Sequence, residues 1–260
     1  MIRPFYLLMV LLPGGLFAQQ TKTYRVQEWS VSGTVRNAVP IDCNGDGWVD
    51  VAVMGTDISC FLNRAGTFDH TAVVSAGAGG GLQGTADFNL DGKADLFSET
   101  TVFLGQGDGR FQRVSPDLGL KVYATGDFNE DGIPDLAGEW VLLGRGDGTF
   151  QASPMPGPAA QAMDCNGDGH LDLIVRAPNS YQGMGISFGN GKGQFVAGKT
   201  VVSSQWLSAV GDLNGDGVCD VMGSTWTFPA EYPHTLTTYL GDRDGGLTVS
   251  GRWQTDSDYY

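Results

Sequence analysis

The chain has 260 residues, 40 glycines, 41% hydrophobic residues and a formal charge of −14, with a pI near 4.3. An acidic chain of this kind excludes nucleic-acid binding through phosphate contacts, which needs a basic surface. Glycine at about twice its usual share, beside enough apolar residues for a core, points to short strands joined by tight turns rather than to disorder.

Residues 1–18 read as a secretory signal. Arg3 supplies a basic start, "FYLLMVLLPGGLFA" is the apolar core, and the expected cleavage follows Ala18. That core is interrupted by Pro13-Gly14-Gly15 and falls short of the roughly 20 apolar residues a membrane-spanning helix needs. No later segment is long and apolar enough to cross. The expectation is a secreted, periplasmic or cell-surface protein that does not span a membrane once the signal is cut. Residues 19–41 form an N-terminal strand segment, in which "TYRVQEWSV" (23–31) resembles the fourth strand of a repeat that lacks its first three.

From residue 42 to 260 one unit recurs. Its mark is a nine-residue acidic loop: "DCNGDGWVD" (42–50), "DFNLDGKAD" (87–95), "DFNEDGIPD" (127–135), "DCNGDGHLD" (164–172) and "DLNGDGVCD" (212–220). A second mark follows each loop: "FLNRAGTF" (61–68), "FLGQGDGRF" (103–111), "LLGRGDGTF" (142–150), "SFGNGKGQF" (187–195) and "YLGDRDGGL" (239–247). Two marks in fixed order, five times over, define a repeat protein. Small residues precede each loop, and an apolar residue follows its last aspartate: Val51, Leu96, Leu136, Leu173 and Val221. Glycine-rich turns between short apolar runs predict about four antiparallel strands per unit. The predicted fold is all-β, a propeller-type array of five four-stranded repeats, either incomplete or closed by the N-terminal strand.

The loop has the form D-x-N-x-D-G-x-x-D. Oxygens at positions 1, 3, 5 and 9 and the backbone carbonyl at position 7 suit a hard cation, and their number and flexibility favour Ca2+ over Mg2+. The candidate ligands are Asp42, Asn44, Asp46, Trp48 and Asp50 in loop 1; Asp87, Asn89, Asp91, Lys93 and Asp95 in loop 2; and Asp127, Asn129, Asp131, Ile133 and Asp135 in loop 3. Loop 4 offers Asp164, Asn166, Asp168, His170 and Asp172, and loop 5 offers Asp212, Asn214, Asp216, Val218 and Asp220. The position-7 residues enter through their carbonyls, which is why Trp, Lys, Ile, His and Val all serve there. An EF-hand begins in the same way but needs a glutamate at position 12, where this chain has Val53, Ser98, Gly138, Val175 and Gly223. Up to five calcium ions are expected, with affinities of roughly 10⁻⁴ to 10⁻³ M.

These loops and the "LGxGDGxF" segments resemble the FG-GAP/VCBS repeat family, related to the propeller of integrin alpha subunits. The resemblance covers most of residues 42–250. It implies a calcium-stapled β-propeller, exported, concerned with adhesion or carbohydrate contact. Propellers of that family commonly have seven blades, whereas five loops are present here.

Little points to catalysis. The histidines are His70, His170 and His234, no Gly-x-Ser-x-Gly elbow is present, and Glu99, Glu139 and Glu231 have no evident partner. The tripeptide Arg145-Gly146-Asp147 lies on a hairpin tip whose counterparts in other repeats differ, so ordinary variation accounts for it. Trp48, Trp140, Trp206 and Trp226 are aromatic candidates for stacking on a sugar, although burial between blades is the commoner role. The expected function is a non-catalytic extracellular binding or adhesion module for a glycan or protein, with self-association open to it. The alternatives are a structural repeat unit of a larger array and, third, a polysaccharide-active enzyme. Cys43, Cys60, Cys165 and Cys219 are compatible with two disulfides, of which Cys43–Cys60 closes the shortest loop.

Overall fold

A computed structural model describes residues 34–75, 80–114, 117–154, 158–176, 183–202, 206–225 and 234–255. The signal segment and the strand expected at 23–31 lie outside the described residues. All regular structure among the described residues is β, arranged as five separate four-stranded antiparallel sheets. Sheet 1 holds β1 (Asn37–Ile41), β2 (Asp50–Met54), β3 (Asp57–Arg64) and β4 (Thr67–Ser75). Sheet 2 holds β5 (Leu82–Ala86), β6 (Asp95–Ser98), β7 (Val102–Gly105) and β8 (Phe111–Arg113). Sheet 3 holds β9 (Val122–Gly126), β10 (Asp135–Gly138), β11 (Val141–Gly144) and β12 (Phe150–Ser153). Sheet 4 holds β13 (Ala159–Met163), β14 (Asp172–Arg176), β15 (Gly183–Gly189) and β16 (Phe195–Val202). Sheet 5 holds β17 (Trp206–Gly211), β18 (Asp220–Thr225), β19 (His234–Gly241) and β20 (Leu247–Thr255).

Within every sheet the strands pair in chain order, as a meander. The acidic loop joins the first strand to the second, and its ninth residue opens the second strand. Asp50 stands opposite Ile41, Asp95 opposite Ala86, Asp135 opposite Gly126, Asp172 opposite Met163 and Asp220 opposite Gly211. The first strands, made of small residues, pack side by side in the order β1, β5, β9, β13. This is the propeller-type arrangement expected of them. No hydrogen-bonded ladder joins one sheet to the next among the described residues.

The core therefore lies between sheets, and strand alternation supplies it. In sheets 2–5 the residue after the loop's last aspartate faces the preceding sheet, and in sheets 1–4 the one after that faces the following sheet. Leu96 packs with Ala52 and Met54 of sheet 1. Phe97 meets Leu136 of sheet 3, Ala137 meets Leu173 of sheet 4, and Ile174 meets Cys219 of sheet 5. Each fully buried leucine or phenylalanine contributes roughly 1.5–3 kcal/mol through apolar area removed from water. A repeat without neighbours would expose both faces, so stability belongs to the stack.

All four cysteines are paired. Cys43–Cys60, the pair expected from its short loop, ties loop 1 to β3 within sheet 1. Cys165–Cys219 joins loop 4 to loop 5 across the boundary between sheets 4 and 5.

Candidate metal centres

The five acidic loops fold alike because their side chains bond their own backbone. The position-1 carboxylate accepts the N–H of the position-6 glycine: Gly47 to Asp42 at 2.8 Å, Gly92 to Asp87 at 2.8 Å, Gly132 to Asp127 at 2.8 Å, Gly169 to Asp164 at 3.0 Å and Gly217 to Asp212 at 2.9 Å. The asparagine at position 3 accepts the N–H of position 5, at 2.9–3.2 Å in all five loops. The position-5 carboxylate accepts the N–H of position 7, at 2.8–3.0 Å. These bonds curl the chain so that oxygens from positions 1, 3 and 5 occupy one exposed turn.

Two positions need a left-handed backbone. Position 6 is glycine throughout, with φ between 79° and 90°. Position 4 is left-handed as well: Gly45, Gly167 and Gly215, but also Leu90 at 57° and Glu130 at 58°. This requirement was missed in the sequence, where position 4 looks free to vary; glycine in three of the five copies was the available signal.

The position-9 aspartate has a role beyond the one expected of it. Asp50, Asp95, Asp135, Asp172 and Asp220 are fully buried beneath their loops. One oxygen accepts the N–H of the loop's second residue: Cys43, Phe88, Phe128, Cys165 or Leu213, at 2.8–2.9 Å. The other accepts an N–H at the end of the third strand: Asn63, Gly105, Gly144, Gly189 or Gly241, at 2.7–2.9 Å. The side chain thus staples the loop to β3, β7, β11, β15 or β19. The recurring "LG" has its reason here. A Cβ on Gly105, Gly144, Gly189 or Gly241 would lie 2.1–2.4 Å from a loop carbonyl oxygen, so in these four sheets glycine lets the N–H approach. In sheet 1 Asn63 stands in that place and donates its side-chain amide to the corresponding carbonyl, that of Val49, at 3.1 Å.

The electrostatics of each loop are layered. The backbone N–H of Gly217 holds the Asp212 carboxyl below its ordinary range, and that of His170 does the same for Asp168. Beneath, burial first, together with the charges at positions 1 and 5, pushes Asp95, Asp135 and Asp172 up to about 6 and raises Asp50. Among the described residues no three His, Cys, Asp or Glu form a ready-made metal cluster. The donor set is mixed: an exposed carboxylate at position 5, a position-1 carboxylate that is half-buried in loops 1–4, one amide oxygen, the backbone and a buried carboxylate. A carboxylate has about four lone-pair sites, so each staple oxygen keeps acceptor capacity beyond its N–H bond. All-oxygen donors with net negative charge fit a hard divalent cation, although in loop 2 Lys93 Nζ already lies 3.2 Å from Asp91 Oδ2.

Neighbouring loops touch. Glu130, at position 4 of loop 3, pairs with His170, at position 7 of loop 4, and this hydrogen bond raises the imidazole pKa. The hairpin bearing Arg145-Gly146-Asp147 sits over loop 2, where Gly148 N–H donates to Phe88 O at 3.1 Å, while Asp147 is occupied by the N–H and hydroxyl of Thr149. That tripeptide is part of the joint between sheets 2 and 3.

At the other end of the sheets the structure gathers residues that are scattered in the sequence. Lys121 Nζ lies 3.3 Å from Glu99, its backbone N–H lies 3.5 Å from Glu139, and Trp140 follows in the turn between β10 and β11. Trp140 is 42% exposed and Trp48 is 52% exposed, so neither takes the commoner buried role. Trp253, not singled out in the sequence, is exposed on the edge strand β20. The side chains of His70, His234, Trp206, Trp226 and Glu231 lie outside the described residues.

Fold and loops together define a repeat protein in which each sheet carries an acidic turn between its first two strands. Residues 42–98 and 164–223 match the FG-GAP-like repeat, so the chain carries repeats of that family. No curated protein matches the chain. Among solved structures, one similar chain is a protein of unknown function from Bacteroides caccae, at 10% identity and TM-score 0.48, covering 91% of this chain and 86% of that one. Another is the V. cholerae biofilm matrix protein Bap1, at 14% identity and TM-score 0.44, covering 84% of this chain. The match spans 41% of the Bap1 chain.

Proposed function

We propose that this chain is an exported, calcium-stapled repeat module that contacts an extracellular glycan or protein and performs no catalytic step. The observation that carries this reading is the fivefold loop: side-chain oxygens at positions 1, 3 and 5, the last exposed in every copy, held above a buried carboxylate by the same backbone bonds each time. Asp42, Asn44, Asp46 and Asp50, with the carbonyl of Trp48, would hold one ion, and the matching residues of the other loops the rest. The ion would neutralise carboxylates that otherwise repel. The two disulfides and the signal-like N-terminus support export to an oxidising compartment. For ligand contact, the exposed Trp140 beside Glu99, Lys121 and Glu139 offers an aromatic face flanked by hydrogen-bonding groups, the chemistry that suits a sugar.

The test is a thermal melt of the mature chain, metal-free and with millimolar calcium, alongside its mass in solution and a glycan array. A clear rise in Tm with calcium supports the reading; no shift with calcium sinks it. Array binding that Trp140→Ala abolishes would locate the glycan contact. A structural repeat unit that stacks on others is the second reading. It is favoured by Leu213, which is 53% exposed at the loop position where Phe88 and Phe128 are covered by the next sheet. A solution mass above one chain, lowered by Leu213→Asp, would support it.

A further inference from the structure

The first three joints between neighbouring repeats share one device. A hairpin glycine of the later repeat donates its N–H to the carbonyl of the second residue in the earlier loop: Gly109 to Cys43 at 3.0 Å, Gly148 to Phe88 at 3.1 Å and Gly193 to Phe128 at 2.8 Å. At the second and third joints an edge-on aromatic contact accompanies it, Phe88 with Phe150 and Phe128 with Phe195, their ring centres 5.6 and 5.7 Å apart.

The fourth joint has neither feature, for a reason legible in its hairpin. Gly107, Gly146 and Gly191 hold φ at 73°, 72° and 64° two residues before the donor glycine. Arg243 stands at that position in sheet 5, and a side chain rarely adopts that conformation. The turn takes another path, and Gly245 N–H points back to Asp242 O at 2.9 Å instead of across the joint. Cys165, in place of a phenylalanine, fills the second position of loop 4, and Leu247, in place of the usual phenylalanine, opens β20. The carbonyl of Cys165 takes the N–H of Cys219 at 3.3 Å, and the same two residues are covalently joined. Arg243 Nη1 adds a bond to the carbonyl of Asn166 at 3.0 Å.

We propose that the Cys165–Cys219 disulfide is the joint that docks the fifth repeat, so that the seating of sheet 5 on sheet 4, and the integrity of loops 4 and 5, depend on oxidation of this one pair. Two thiols each lose a proton and together give two electrons to a disulfide-type oxidant, which leaves as a dithiol; a dithiol reductant reverses the step and leaves as a disulfide. The other disulfide crosses no joint, since Cys43 and Cys60 belong to one repeat. It is the built-in control. Because the argument rests on the joint and not on calcium, it stands or falls apart from the metal reading.

The experiment is peptide-resolved hydrogen exchange on the full mature chain, comparing the oxidised protein with Cys165→Ala/Cys219→Ala and with Cys43→Ala/Cys60→Ala. In the first variant, amides of β18 and β19 should exchange at least ~10-fold faster, while those of β2, β6 and β10 stay within about 2-fold. The second variant should leave β18 and β19 unchanged. Unaltered exchange in sheet 5 of the first variant overturns the proposal. So does equal acceleration in all five sheets, or failure of the variant to fold, because either makes the disulfide a general stabiliser. Treating the Cys43→Ala/Cys60→Ala variant with a dithiol opens Cys165–Cys219 alone, and should accelerate exchange in β18 and β19 as the first variant does.

Discussion

Asp135 shows how one side chain combines two duties that substitution can separate. It accepts two backbone N–H groups beneath loop 3 and is also a candidate cation ligand, whereas Asp131 lies on the exposed rim of the same loop. Asp135→Asn would set an amide N–H against a backbone N–H, so it should destabilise by about 1–3 kcal/mol even in metal-free protein. Asp131→Ala should change the metal-free protein less and chiefly reduce the calcium-induced rise in Tm. Urea denaturation with and without calcium checks both, and equal metal-free losses would refute the division of roles. Glycines permit a second comparison. A Cβ on Gly132 meets nothing within 4 Å, so Gly132→Ala should cost only the left-handed backbone penalty, about 1–2 kcal/mol. On Gly144 it would lie 2.4 Å from Pro134 O, so Gly144→Ala should cost more, about 2–4 kcal/mol, by breaking the staple as well.

At the scale of the element, each loop is a charged turn over a buried acid, which sets its response to pH. Asp95, Asp135 and Asp172 sit at about 6 in the folded protein against 3.8 in the free side chain. Their folded-state pKa values are raised, so the folded form binds protons more tightly than the unfolded chain. In metal-free protein their contribution is therefore fully present below about 4 and is lost as pH rises through about 6. Calcium held as proposed would compete with those protons, so the Tm difference between calcium-loaded and metal-free protein should be small near pH 4 and grow towards pH 7. A calcium effect independent of pH across that range would argue against involvement of the buried acids. This much of the loop was legible in the sequence: five copies, the Asp and Asn side chains gathered at positions 1, 3 and 5, and the turn glycine. What was not legible is that position 9 bonds the third strand, because its partner is a backbone N–H 9 to 21 residues away, and the recurring glycine that carries it reads from sequence as an ordinary turn residue.

For the whole molecule, stability should be shared unevenly along the stack. Sheets 2 and 3 have neighbours on both faces, and their joints combine buried phenylalanines with a hairpin-to-loop hydrogen bond. Asp127→Ala with Asp131→Ala should loosen sheet 3 most and then sheet 4, whose hairpin rests on loop 3 through Gly193 and Phe128. Hydrogen exchange in calcium would report this, and loosening confined to sheet 3 would show that the joint transmits nothing. By loop-closure entropy, the Cys165–Cys219 link across 54 residues is worth roughly 4 kcal/mol, against roughly 3 for Cys43–Cys60 across 17.

The sequence by itself determined the repeat, its period, the strand order within a unit and the acidic make-up of the loop. Each of these is a local pattern: alternation within a strand, glycine at a turn, carboxylates at fixed spacing. Tertiary structure alone decided the rest. It placed the position-9 aspartates beneath the loops, seated the hairpins of sheets 2, 3 and 4 on the preceding loop, and brought Glu99, Lys121, Glu139 and Trp140 to one end of sheets 2 and 3. It also made one disulfide an internal clasp and the other a joint between repeats. The reason is physical: these contacts link residues of different strands or repeats, and packing sheet against sheet sets them, where spacing along the chain does not.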